Sequence, residues 1–136
     1  MNRNDPERSY GKFGVRAFAA GSAYPVDGAL VIVRSKKEDG TPATIAVLET
    51  DESGKTQTIT LETPPKSLSL APGSEIPPYA LYDVEVTRPG FYSIVTRGVQ
   101  IYPDTTSILP INMLPLPDTG MVSDVIVNEG GAAPAL

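Results

Sequence analysis

The stretch Pro77–Pro117, PPYALYDVEVTRPGFYSIVTRGVQIYPDTTSILPINMLPLP, decides the fold. Tyr79 to Thr87 alternates, with Leu81 out of step and Tyr82, Val84 and Val86 on one face. A period of two over several residues marks a half-buried strand. Arg88-Pro89-Gly90 reads as a tight turn, because Pro presets φ and Gly accepts a positive one. Phe91 to Tyr102 then returns as a second strand, and Ile108 to Leu114 closes the segment as a third.

Working outward, the same punctuation recurs. Lys12 to Ala20 (KFGVRAFAA) predicts a first strand at a sheet edge, with Phe13, Val15, Ala17 and Ala19 on one face and Arg16 on the other. Gly21 to Gly28 is a bend. Ala29 to Arg34 (ALVIVR) is the most apolar short run and predicts a central strand facing inward through Ala29, Val31 and Val33. Asp39-Gly40 is a turn dipeptide. Thr44 to Thr50 alternates, with Ile45 and Val47 facing one way. Asp51 to Gly54 turns again, and Lys55 to Thr63 is rich in β-branched residues, with Ile59 and Leu61 opposite Thr58, Thr60 and Glu62.

Pro64 to Pro78 carries five Pro and cannot pair as a central strand, because Pro donates no hydrogen bond. It predicts a crossover loop with Leu68, Leu70 and Ile76 tucked beneath it. The organisation expected is a flexible arm over 1–12, a β-sandwich over 13–117 and a C-terminal extension over 118–136. Within that extension Met121 to Val127 forms an extra strand and the rest is loose. About seven short antiparallel strands at eight- to twelve-residue intervals give an all-β fold of two packed sheets.

Composition bounds the chemistry. The chain has 136 residues, 40% of them hydrophobic, with 14 Pro and 12 Gly. That is enough for one domain with a real core, punctuated too densely for long helices. Net charge is −5 with both signs interspersed, so no basic patch recommends nucleic acid or an anionic membrane as a partner. With no Cys and no His, the chain lacks thiolate ligands, disulfides and the commonest general base near neutral pH. The first residues, MNRNDPERSYGKFG, hold no apolar core of the kind a secretory signal needs. The expected location is the cytoplasm, or a spore or cell envelope reached by another route.

Three motifs resemble a known family. Pro25-Val26-Asp27-Gly28-Ala29-Leu30-Val31 resembles the P-x-x-G-A-x-V second strand of carboxypeptidase-regulatory-like domains. Thr50 to Thr56 resembles their T-D-x-x-G hairpin, and Tyr82 to Phe91 their Y-x-V-x-V-x-x-x-G-Y pair. Together they span about residues 13–116. The resemblance implies a transthyretin-like, immunoglobulin-like sandwich. Residues 98–117 are similar to versions of this domain in Firmicutes proteins, some attached to peptidoglycan-binding or spore-cortex-lytic modules. The family's usual role is that of an accessory module that folds, spaces or binds.

Five candidate features follow. Asp51-Glu52-Ser53-Gly54 offers two carboxylates and a hydroxyl to a hard cation, without a full calcium-loop pattern; a hairpin turn with solvated charges accounts for it as well. Asp83 and Glu85 share a strand face, as paired carboxylates do in acid–base work; a solvated outer face opposite Tyr82, Val84 and Val86 explains both. Lys12, Asn112 and Glu85 are the trio available for an isopeptide crosslink of the kind found in related collagen-adhesin B-type domains, though Arg16 stands about where the Lys is expected. Of six tyrosines, Tyr79, Tyr92 and Tyr102 are the candidate binding residues for a glycan or protein, with Tyr79 and Tyr92 flanking one turn region. Met121 to Val127 either covers its own sheet edge or augments a neighbour's, making a homo-oligomer through the C-terminal extension.

These readings converge on a structural or interaction module without catalysis, without a metal or other cofactor, associated with a bacterial spore or cell envelope. A carbohydrate- or peptidoglycan-binding module is the alternative, and a subunit of a larger phage or secretion particle is another.

Overall fold

In the computed structural model, residues 9–21, 23–37, 39–65, 73, 77–117 and 125–130 are described. Among them the chain forms nine strands and no helix: β1 (Ser9–Ala19), β2 (Tyr24–Pro25), β3 (Leu30–Lys36), β4 (Pro42–Glu49), β5 (Ile59–Thr63), β6 (Ala80–Thr87), β7 (Ser93–Ile101), β8 (Thr106–Asn112) and β9 (Val125–Glu129). They build two sheets, as the alternation predicts. In the first, β1 lies at the centre. Its outer lanes are β8 on one side and, end to end, β5 and β2 on the other. The second runs β4-β3-β6-β7-β9.

The core forms where the inward faces meet. Phe13, Val15 and Ala17 of β1, Leu61 of β5 and Ile111 of β8 pack against Val31, Val33, Val84, Val86, Val99 and Ile101 of the second sheet. Each side chain leaves water on one face only, so alternation alone fixes which residues fill the core. Tyr82 spans the two layers: it is buried in β6, and its hydroxyl donates to the Glu62 carbonyl of β5 at 2.6 Å.

Several expectations are corrected. β1 is not an edge strand, since it is paired along both sides, and it starts at Ser9, so residues 9–12 belong to a strand and not to an arm. Two pairings are parallel, β1 with β8 and β7 with β9, within an otherwise antiparallel sandwich. Ile45 and Val47 do share a face, but it is the solvent face, at 48% and 56% exposure; Leu48 is the residue β4 buries. β7 is not one uniform alternation. Its buried positions run Ile94, Thr96, then Val99, Ile101, because a bulge opposite Asp83 adds one residue. Gly98 takes φ 71° there, and its N–H donates to Asp83 Oδ1 at 2.9 Å. Asn128 and Glu129, expected to be loose, lie in β9. Leu68, Leu70, Ile76 and residues 1–8 lie outside the described residues.

Candidate functional site: an apolar groove at one end of the sandwich

Two of the family-like motifs are joined at one end of the fold. Thr50 is buried at 3% exposure. Its hydroxyl accepts the Ala29 N–H at 2.8 Å and donates to the Val26 carbonyl at 2.7 Å. The backbone adds Thr50 N–H to Ala29 O and Gly28 N–H to Thr50 O. Next to it, Asp51 Oδ1 accepts the Ser53 and Lys55 N–H groups at 2.9 and 3.0 Å. Those backbone donors, helped by the Lys55 charge, hold the Asp51 carboxyl below its usual range. Its acceptor capacity therefore closes a turn, and the hairpin reading of Asp51 to Gly54 is the one the geometry carries. Gly54, at φ 78°, presses against Ala17, whose N–H donates to Gly54 O at 2.7 Å.

This junction holds Val26 and Pro25 against the end of β1, where Ala20 and Gly21 turn the chain with φ 53° and 65°. From the opposite side, Asn112–Leu116 crosses between the sheets. Met113 N–H donates to Phe18 O on the first sheet at 2.7 Å, Tyr92 N–H to Leu114 O at 2.8 Å, and Leu116 N–H to Gly90 O at 2.9 Å. The strap is thus pinned to both layers. Arg88-Pro89-Gly90-Phe91 makes the expected turn, closed by Phe91 N–H to Arg88 O at 3.0 Å.

Between the β1–β2 corner and this strap runs an open groove of about 710 Å³. Val26 and Met113 are buried in its floor; Tyr24 and Leu114 stand at its rim, 66% and 42% exposed. Phe91, Pro25 and Pro115 complete the apolar walls. Asp27, Arg88 and Asn112 supply the polar lining, and Arg88 Nε donates to the Asp27 carbonyl at 2.7 Å. Volume and lining fall in the range of small-ligand and side-chain pockets.

The predicted tyrosines are split. Tyr79 and Tyr102 flank the open end of the β6–β7 hairpin, ring centroids 5.5 Å apart in an edge-to-face arrangement, and Tyr102 Oη donates to Gln100 Oε1 at 3.1 Å. Tyr92 sits at the other end of β7, about 30 Å away at ~3.3 Å per residue, where it packs on the core beside the strap. The three do not form one surface, and Tyr79 and Tyr92 do not flank one turn.

Both strand carboxylates have structural partners: Asp83 holds the bulge, and Glu85 accepts from Arg34 Nη1 at 2.9 Å. The crosslink trio is dispersed. Lys12 and Asn112 lie six residues apart along β1, about 20 Å, while Glu85 is on the other sheet. Among the described residues no three His, Cys, Asp or Glu side chains cluster to hold a metal. Val125–Glu129 pairs with β7 of its own chain. Sequence reasoning missed the groove because its walls come from three segments distant in the chain; Ala20-Gly21 and the Pro115 break in the β8 pattern were the signals available.

No family model and no curated protein matches the chain. Solved structures of similar fold include hydroxyquinol 1,2-dioxygenase from Pseudomonas putida, 13% identical over 79% of this chain and 57% of that one, TM-score 0.55. Catechol 1,2-dioxygenase from Acinetobacter is 12% identical over 92% and 60%, TM-score 0.52. Transthyretin from Sparus aurata is 18% identical over 77% and 90%, TM-score 0.49. The chain spans less than two thirds of either dioxygenase. These likenesses are of fold. They nevertheless correct the expectation of a protein outside catalysis: two of these sandwiches belong to enzymes, so the architecture is no ground for excluding one.

Proposed function

We propose that this chain is a β-sandwich interaction module that takes an apolar segment of a protein partner into the end groove, at a bacterial spore or cell envelope. The observation that carries the reading is the exposed Tyr24 and Leu114 pair above a floor of buried Met113 and Val26. Apolar side chains held open to water at the lips of a concave site gain on burial, about 25 cal/mol per Å². The floor is pinned to both sheets, so little ordering is lost on binding. Arg88 at the rim favours a partner with a carboxylate beside its apolar residues. The envelope assignment rests on the similarity of residues 98–117 to versions of carboxypeptidase-regulatory-like domains in Firmicutes proteins.

A second reading, a glycan- or peptidoglycan-binding module, draws on Tyr79 and Tyr102, whose paired rings offer an aromatic surface at the other end of the hairpin. Calorimetric titration separates the two. The probes are a capped Leu-Pro-Phe-Glu peptide, a chitin oligosaccharide and sedimented peptidoglycan. The first reading expects peptide binding that Leu114→Asp weakens at least about tenfold, since a carboxylate would be buried in the groove. Binding of the glycan probes, lost in Tyr79→Ala or Tyr102→Ala and kept in Leu114→Asp, would reject it for the second.

A further inference from the structure

Granting that the end groove is the partner site, on which this depends, we infer that Arg88 takes the partner's C-terminal carboxylate. The groove then receives the end of a chain whose last residue is apolar. Tyr82, Val84 and Val86 are the buried face of β6. The same period of two makes Arg88 the next member of that row, one step past the end of the strand. A charged group on the core-facing side, half-buried, needs partners to offset the water it has lost. It has one, the Asp27 carbonyl, to which Nε donates at 2.7 Å. Among the described residues it has no ion-pair partner.

The bond to Asp27 fixes which way the guanidinium faces. Arginine carries five N–H donors in one rigid plane. Here Nε is spent. A Cβ added at Gly28 would stand 3.5, 3.7 and 3.8 Å from Nε, Cζ and Nη2, so Gly28 backs one face of the plane. The Nη1–Nη2 edge stays open, and that edge matches a carboxylate through two parallel bonds. Phe91 faces Arg88 across the turn, its N–H bonded to Arg88 O, and lines the groove with Met113 and Val26. A carboxylate held at Arg88 therefore has an apolar pocket beside it.

The same bond favours a chain end over an acidic side chain within a longer segment. Arg88 to Asp27 ties the β6–β7 turn to the bend before β3, 61 residues apart in the chain. On that side the groove has a wall and not an exit. A segment running on past its carboxylate would have to cross the tie, whereas a chain that stops there would not. Among the described residues of the lining, Asp27 carries the one opposing carboxylate. It is exposed and forms no ion pair with Arg88, so water and salt screen it. A ligand in direct, half-buried contact with the guanidinium is screened much less.

Calorimetric titration of the full chain tests this with three probes: acetyl-Leu-Pro-Phe as the free acid, the same peptide as the amide, and the capped Leu-Pro-Phe-Glu. The free acid should bind at least about tenfold more tightly than the amide. It should also outbind the capped peptide, whose only carboxylate is on a side chain. Added salt should narrow the gap between acid and amide. Arg88→Gln should erase that gap, and Arg88→Lys, which keeps the charge but not the planar fork, should restore part of it. Arg97→Gln, which removes an exposed cation outside the groove, should leave the gap as it is. The acid–amide comparison in the wild type needs no variant, so it decides the matter even if Arg88→Gln misfolds. Equal binding of acid and amide would overturn the inference and leave the groove as the partner site. So would a capped peptide that binds as tightly as the acid, or an acid preference that survives in folded Arg88→Gln. Binding of none of the three would defeat the groove reading itself, and this inference with it.

Discussion

The Thr50 hydroxyl stands between two backbone groups of another segment: it accepts from Ala29 N–H and donates to Val26 C=O, 21 and 24 residues earlier. All three residues are buried. Thr50 therefore holds one wall of the groove to the hairpin that follows β4. Thr50→Val keeps the shape and removes both partners. Leaving two buried backbone groups unpaired should cost about 2–4 kcal/mol, while Thr50→Ser should cost much less. Urea unfolding of the three proteins measures it.

Tyr82 tests the cohesion of the two layers. Tyr82→Phe removes the hydrogen bond to Glu62 O and should cost about 1 kcal/mol. Burial, with the nearby Glu62 carboxylate adding to it, raises the Tyr82 pKa above its ordinary value. The neutral phenol is thus favoured by folding. Its contribution is complete below the unfolded-state value near 10 and fades as pH rises through the higher folded value. The wild type should lose stability on that alkaline limb, and Tyr82→Phe should flatten it.

Asp51 acts at the acid end. Its folded pKa is depressed, so its contribution is present above the ordinary carboxylate value and is lost as pH falls through the folded one. Asp51→Asn keeps an acceptor but not a titrating group. Thermal unfolding followed from neutral to acid pH should show a shallower acid limb in the variant than in the wild type.

Glycine substitutions separate conformation from space. At Gly98, φ is 71° and nothing lies within 4 Å of an added Cβ, so Gly98→Ala should cost only the left-handed penalty, about 1–2 kcal/mol. At Gly54, φ is similar but the Cβ would also run into the Ala17 carbonyl. Gly54→Ala should be the more damaging by a clear margin in denaturant midpoint, and it should loosen the groove wall.

What the sequence reveals is what alternation reports. Ala29, Val31 and Val33, and Tyr82, Val84 and Val86, are inward as their period requires. Alternation does not report which strand is the neighbour. The centrality of β1 and the parallel pairings of β8 and β9 were therefore not legible. A single inserted residue at Gly98 reverses every later face of β7, and the run Arg97-Gly98 was the only sign of it. Thr50 reads as one more β-branched residue, because its partners lie more than 20 positions away. Tyr79 and Tyr102 meet because Ala80 pairs with Ile101, a register that the hairpin's bulge shifts. Tyr92 is carried to the far end of the same strand.

The central claim is that the end groove is where this protein meets its partner. Amide chemical-shift mapping of the labelled full chain, titrated with the apolar acidic peptide, tests it most directly. The account predicts shifts concentrated at Tyr24, Val26, Phe91, Met113 and Leu114, with the Arg88 side chain responding. Shifts centred on Tyr79 and Tyr102, or none across the groove at saturating peptide, would contradict it.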